Sequence, residues 1–170
     1  MTEVSAFIGL GSNLDVPEQQ VRRACREMES LPESACIVCS SLYRSRPLGP
    51  QDQPDFINAV AELRTALAPE RLLAELQRIE ISHGRMRGGE RWGPRPLDLD
   101  LLLFADRVIC TPRLMVPHPG LIQREFVLYP LLEIAGPALE IPGHGLLGPL
   151  AAACDRGGLE KLERTYAARY

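Results

Sequence analysis

Four stretches of this chain carry apolar residues at every second position, and two of the three gaps between them repeat at helical spacing. That order of periods restricts the fold more than any other feature. Val4, Ala6, Ile8 and Leu10 mark a first strand that should end at the turn Gly11-Ser12-Asn13. Asp15 and Glu18 then have the spacing of a capping box. Val21, Ala24, Cys25 and Met28 form the apolar stripe of a helix, with Pro17 tolerated in its first turn and a stop near Leu31-Pro32. Ala35 to Ser45 reads as a second strand, the breaker-rich stretch 46–54 as a loop, and Asp55 to Leu63 as a third strand. Pro69 and Glu70 open a second helix with Leu72, Leu76 and Ile79 on its buried stripe and Leu73 at the edge. Asp98 to Phe104 makes a fourth strand, with Leu99, Leu101 and Leu103 on one face and Asp98 and Asp100 on the other.

The order βαββαβ predicts an α+β fold of the ferredoxin-like kind: an antiparallel sheet, two helices on one side, and right-handed crossovers. The stretch 107–170 should extend this core with a short strand and further helices. A chain of 170 residues is long enough for one self-sufficient core, and no repeat or composition shift marks a linker, so a single domain is expected. A net charge of −3 disfavours nucleic acid and anionic membrane as partners, and small molecules fit better. Met1-Thr2-Glu3 leads directly into the first strand without a basic or long apolar leader, so a cytoplasmic protein is expected.

Chemistry concentrates on the polar faces. Period two places Phe56 and Asn58 opposite the core face of the third strand, an aromatic beside an amide, suited to a planar heterocycle. The segment from Gly84 to Leu97 holds Arg85, Arg87, Arg91 and Arg95 against Glu90, a local charge of +3, together with Trp92. Arginine forks match phosphate oxygens, and the glycines let such a loop approach a ligand closely. It runs directly into Asp98 and Asp100, two carboxylates about 6 to 7 Å apart along one strand face. Mg²⁺ takes one or two carboxylates and completes its shell with water and substrate phosphates, so cation and anion sites would be contiguous. His118, Arg124 and Phe126 offer a further donor, cation and aromatic face. The five cysteines are read as free thiols, and Cys36-x-x-Cys39 lies in a strand with no second pair or histidine to complete a zinc site.

Arg91-Trp92-Gly93-Pro94-Arg95-Pro96-Leu97-Asp98-Leu99-Asp100-Leu101-Leu102 resembles the signature of the 6-hydroxymethyl-7,8-dihydropterin pyrophosphokinase family. Gly9-Leu10-Gly11-Ser12-Asn13-Leu14, the stretch from Pro47 to Asn58, and Val116-Pro117-His118 are similar to further family motifs in the same order. The resemblance spans roughly residues 4 to 142. It implies one pyrophosphokinase domain, residues 1–170, that transfers pyrophosphate from ATP to the hydroxymethyl group of 6-hydroxymethyl-7,8-dihydropterin and releases AMP in folate biosynthesis. It implies two Mg²⁺ ions on Asp98 and Asp100, with Asp100 helping to deprotonate the attacking hydroxyl, and Arg85 and Arg95 stabilising the transferring phosphates. Arg87 and Trp92 would close over ATP, with Gln77, Glu80, His118 and Arg124 around the nucleotide. Phe56 and Phe126 would sandwich the pterin, while Asn58 and groups near Ser45 and Leu48 read its edge. The sequence departs from the family pattern at Phe56, where a tyrosine is common, and at Pro119, where an aromatic can occur. A monomer is expected.

Two other readings account for fewer residues. An RNA-recognition module shares the βαββαβ order, but it needs exposed aromatics on its central strands and usually a basic face. A P-loop enzyme needs G-x-x-x-x-G-K-[ST], and the one lysine of this chain is Lys161.

Overall fold

The central sheet of the computed structural model, which describes residues 2–84 and 96–164, is assembled on β1, Val4–Ser12. β4, Phe56–Thr65, pairs antiparallel along one side of it and β5, Asp98–Phe104, along the other. β2, Ser34–Cys39, and β3, Ser41–Ser45, both pair with β4, and β10, Glu160–Arg164, adds an outer strand beside β3. Helices α1, Pro17–Met28, and α2, Pro69–Ser82, bury the stripes their spacing predicts: Val21, Ala24, Cys25 and Met28 from one, Leu72, Leu76 and Ile79 from the other. These residues meet Ala6, Ile8, Ile57, Ala59, Ala61 and Leu63 in one core, giving the ferredoxin-like arrangement.

Several local expectations are corrected. β1 continues through the predicted turn to Ser12, because Gly11 and Ser12 still pair with Asn58 and Ile57. No capping box forms: Asp15 and Val16 both take left-handed φ values, 53° and 59°, which moves the N-cap to Val16, a residue without a side-chain acceptor. The second strand is broken at Ser40, where the Val60 N–H donates to Ser40 Oγ at 2.9 Å while the Ser40 N–H donates to the Val60 carbonyl at 2.8 Å. The hydroxyl thus satisfies a ladder donor that the bent backbone no longer reaches.

Leu103 lies on the opposite face from the one predicted. β1 pairs Ile8 with Leu101 but Phe7 with Leu103, so Leu102 is the extra residue of a β-bulge and the alternation slips. Leu99 and Leu101 stay in the helix-side core, while Leu102 and Leu103 join a second core with Phe7 and Val60. A second bulge in β2, between Cys36 and Val38, turns both Cys36 and Cys39 toward the helix-side core, their sulfurs 3.8 Å apart and fully buried. The neighbouring Cys25 and Cys36 sulfurs, reinforced by burial, push the Cys39 thiol far above its usual range, which keeps it protonated.

The C-terminal part is richer than one short strand. It forms a hairpin of β6, Ile109–Cys110, and β7, Met115–Val116; a 3-10 turn, Leu121–Gln123; α3, Glu125–Ala135; a hairpin of β8, Glu140–Ile141, and β9, Gly145–Leu146; α4, Leu147–Ala153; and β10. Leu121, Val127, Leu128, Leu131, Ile141 and Leu147 build the second core on the face away from α1 and α2. Glu133 fastens α3 to β3, its carboxylate accepting from the Ser41 N–H at 2.8 Å, the Ser41 hydroxyl at 3.1 Å and the Tyr43 hydroxyl at 2.6 Å. Among the described residues no helix is long and apolar enough to cross a membrane.

Candidate active site

The register of the three central strands builds the site. Asn58 of β4, Gly11 of β1 and Asp98 of β5 stand side by side in one row across the sheet, and Val60, Gly9 and Asp100 form the next. Residues paired in this way share a face, so both carboxylates and the Asn58 amide look out on the same side. The central strand contributes glycines there. A Cβ on Gly11 would stand 3.3 Å from Asn58 Oδ1 and 3.8 Å from a ring carbon of Phe56. A bare central strand therefore leaves open floor between an amide and a carboxylate.

Over this floor lies a cavity of about 400 Å³ whose lining includes Ser45, Leu48, Phe56, Asn58, Asp98, Asp100, His118, Pro119, Arg124 and Phe126. Eight of the predicted site residues therefore converge from β3, β4, β5 and the segment around α3, together with Leu48 from the loop after β3. Asn58 is 4 % exposed, and its Nδ2 donates to Ser45 Oγ at 2.8 Å. Its carbonyl oxygen is thereby oriented and suits the donor edge of a heterocycle. Phe56 stands beside it, and Phe126 projects from the first turn of α3, where the Arg124 guanidinium lies 5.8 Å from its ring centre.

His118 is placed through the bulge of β5: its N–H donates to the carbonyl of Leu102 at 2.9 Å. Its Nδ1 accepts from the Gly120 N–H at 3.1 Å, which assigns the ring proton of the neutral form to Nε2. Nε2 lies 3.9 Å from Asp100 Oδ2. Burial, then the charge of Arg124, holds the imidazole below its ordinary range against the opposing pull of Asp98. His118 is therefore a neutral donor aimed along the carboxylate side of the cavity.

Asp98 and Asp100 are partly exposed, hard oxygen donors on one strand face. Among the described residues no three His, Cys, Asp or Glu side chains gather into a metal cage. That donor set fits Mg²⁺, which prefers one or two carboxylates with water and phosphate oxygens for the rest. Glu80 is buried at the end of α2 and accepts the Leu99 N–H at 2.9 Å, so it fixes the strand between the two aspartates without lining the cavity. Gln77 is exposed on the same helix and is not part of the cavity lining. Arg85, Arg87, Trp92 and Arg95 lie outside the described residues.

Three kinds of lining residue had no assigned role in the sequence. Gly9 and Gly11 carry the signal of glycines inside a strand pattern, which marks close approach. Arg46 lies in the breaker-rich loop next to Ser45, where an exposed cation beside a planned pocket is the available hint. Gly120 has no local signal, since its role depends on where the Arg124 side chain, four residues on, folds back.

Comparison with known proteins agrees with this geometry. A 2-amino-4-hydroxy-6-hydroxymethyldihydropteridine pyrophosphokinase of Pseudomonas aeruginosa is 50 % identical over 156 residues, 92 % of this chain and 95 % of that protein. The protein of the same name from Haemophilus influenzae is 50 % identical over 132 residues, covering 78 % of this chain and 82 % of its own. Among solved structures, a Plasmodium falciparum HPPK-DHPS crystallised with pteroate aligns with a TM-score of 0.71 at 13 % identity, a likeness of fold alone. The alignment covers 89 % of this chain and 42 % of that one, so this chain spans less than half of it. The model of the family described as 7,8-dihydro-6-hydroxymethylpterin-pyrophosphokinase matches residues 7–136, the stretch that carries every strand and loop of the cavity, and the chain belongs to that family.

Proposed function

We propose that this chain transfers the pyrophosphoryl group of ATP to the hydroxymethyl oxygen of 6-hydroxymethyl-7,8-dihydropterin, releasing AMP, as a step of folate synthesis. The observation that carries the reading is one cavity with a slot for a planar heterocycle, Phe56, Asn58 and Phe126, next to two carboxylates, Asp98 and Asp100. The hydroxymethyl oxygen attacks the β-phosphorus, the bond from that phosphorus to the bridging oxygen of the α-phosphate breaks, and AMP leaves.

Phe56 and Phe126 stack the pterin, and Asn58, oriented by Ser45, reads its donor edge, with groups near Leu48 completing the recognition. Asp98 and Asp100 would hold Mg²⁺, two ions by family resemblance, and the metal would supply charge neutralisation at the phosphates. The Asp100 carboxylate accepts the hydroxyl proton. His118, neutral and protonated at Nε2, donates to a phosphate oxygen, and Arg124 pairs with the same anion. Arg85 and Arg95 stabilise the transferring phosphates, while Arg87 and Trp92 close over ATP, and Glu80 acts from behind the cavity by holding the Leu99 N–H between the two aspartates. Such closure keeps water from the activated phosphorus. Pterin-dependent appearance of AMP, followed by nucleotide chromatography with ATP and Mg²⁺ present, is the expected result. ADP as the nucleotide product, or AMP formed equally without pterin, would refute this reading.

A further inference from the structure

Gly120 precedes the 3-10 turn with φ −90° and ψ −1°, a negative-φ conformation that residues with side chains adopt in turns. Backbone freedom therefore does not explain a glycine there. Space does. A Cβ at this position would fall inside contact distance of Arg124 Nε and stand 2.5 Å from Cζ and 2.9 Å from Nη2. Non-bonded carbon atoms rest at ~3.5 to 4.0 Å, so the Arg124 guanidinium occupies the place a side chain at residue 120 would need. The three nearest atoms all belong to the far end of that one flexible side chain. An added methyl group is relieved by swinging Arg124 aside, and the fold has no need to move.

The same residue holds a second group. The Gly120 N–H donates to His118 Nδ1 at 3.1 Å, which selects the tautomer with the proton on Nε2. His118, Gly120 and Arg124 all line the cavity. We propose that Gly120 is a positioning residue for the transfer reaction: its missing side chain gives Arg124 its seat on the cavity wall, and its N–H fixes the donor face of His118. The inference rests on reading this cavity as the ATP and pterin site, and the anion that Arg124 meets is a phosphate of the nucleotide.

The test compares wild type, Gly120→Ala, Arg124→Ala and the double variant in pterin-dependent AMP formation, calorimetric binding of a non-hydrolysable ATP analogue, and thermal unfolding. Loss of a charge-assisted contact predicts about a tenfold or greater rise in the dissociation constant of the analogue for Gly120→Ala, at an unchanged melting temperature. In the Arg124→Ala background the methyl meets no guanidinium, so adding Gly120→Ala changes affinity by less than about twofold. Wild-type affinity in Gly120→Ala, or an equal loss in both backgrounds, would overturn the role of Gly120. If Gly120→Ala does not fold, the double variant decides: recovery of folding supports the clash with Arg124, and continued failure overturns it. A wild-type chain that forms no pterin-dependent AMP would instead defeat the functional reading, which the comparison of variants leaves separate.

Discussion

Replacing Glu133 should weaken the fold by several kcal/mol, roughly 3–5, because this carboxylate joins α3 to the sheet. Its side chain is 16 % exposed and accepts from three donors of β3, the Ser41 N–H, the Ser41 hydroxyl and the Tyr43 hydroxyl, with Lys161 Nζ 3.5 Å away. A hydrogen bond to a charged group contributes about 1.5–3 kcal/mol, so three of them sum to roughly 4.5–9 kcal/mol before water re-enters. The Lys161 contact adds little, since that lysine is half exposed. Partial rehydration of the stranded donors brings the expected loss for Glu133→Ala to about 3–5 kcal/mol. Glu133→Gln keeps the shape but turns one acceptor into a donor, and should lose about 1.5–3 kcal/mol. Urea denaturation at pH 7 would show both as lower midpoints at an unchanged slope. Burial pushes the Glu133 carboxyl up, but the Tyr43 and Ser41 donors and the Lys161 charge win, and the net shift is downward. With the folded value depressed, the stabilisation is fully present above the unfolded glutamate value of about 4.3. It is lost as pH falls through the lower folded value. The gap between wild type and Glu133→Gln should therefore narrow in acid. A loss below about 1 kcal/mol for Glu133→Ala, or a gap that stays constant down to pH 3, would refute the anchoring argument.

Asp98→Ala and Asp100→Ala should each lower turnover at least about a hundredfold, with melting temperatures close to wild type because both carboxylates are partly exposed. Chelation of Mg²⁺ should stop AMP formation in the wild type and restored Mg²⁺ should recover it; activity persisting in both variants would exclude a metal role for the pair. Phe56→Ala should weaken pterin binding by about 1–3 kcal/mol, the worth of burying and stacking one aromatic ring, read by calorimetry. Ser40→Ala leaves the Val60 N–H without the acceptor it uses at 2.9 Å, and should cost about 1–3 kcal/mol of stability in the same urea assay.

The parts of the fold legible in the sequence are those where one period governs a whole face. The stripes of α1 and α2, and the placing of Ile57, Ala59, Ala61 and Leu63 opposite Phe56 and Asn58 in β4, follow from local spacing and survive in the structure. What spacing does not reveal are single residues where the chain changes phase. The bulge at Leu102 reverses Leu103, and the Ser40 hydroxyl divides a continuous apolar run into β2 and β3. Both depend on a partner strand distant in sequence. That Asp98, Asp100, Phe56 and Asn58 face one cavity was legible because a strand face displays its chemistry at every second position. The contribution of Arg46 and Gly120 was not, because neither sits on a periodic element and each reaches the cavity through tertiary placement.

The two faces of the sheet divide the work of the molecule. On the helix side β1 presents Ala6, Ile8 and Leu10, all at most 3 % exposed, and this face is closed by α1 and α2. On the other side α3 packs over β3 and β4, while β1 offers Gly9 and Gly11 beneath the aspartates of β5. A glycine in a strand costs about 0.5–1 kcal/mol relative to alanine, and that cost is not recovered on the cavity face. It is offset by the dense apolar packing of the opposite face, where single fully buried residues such as Leu72 and Leu76 stabilise by about 1.5–3 kcal/mol each. The bulge adds to the same division: by slipping the register at Leu102, β5 sends two successive leucines into the second core, and the Leu102 carbonyl holds the His118 N–H. The site is thus a region where the sheet withholds side chains and regularity, and it can do so because the other face supplies the stability.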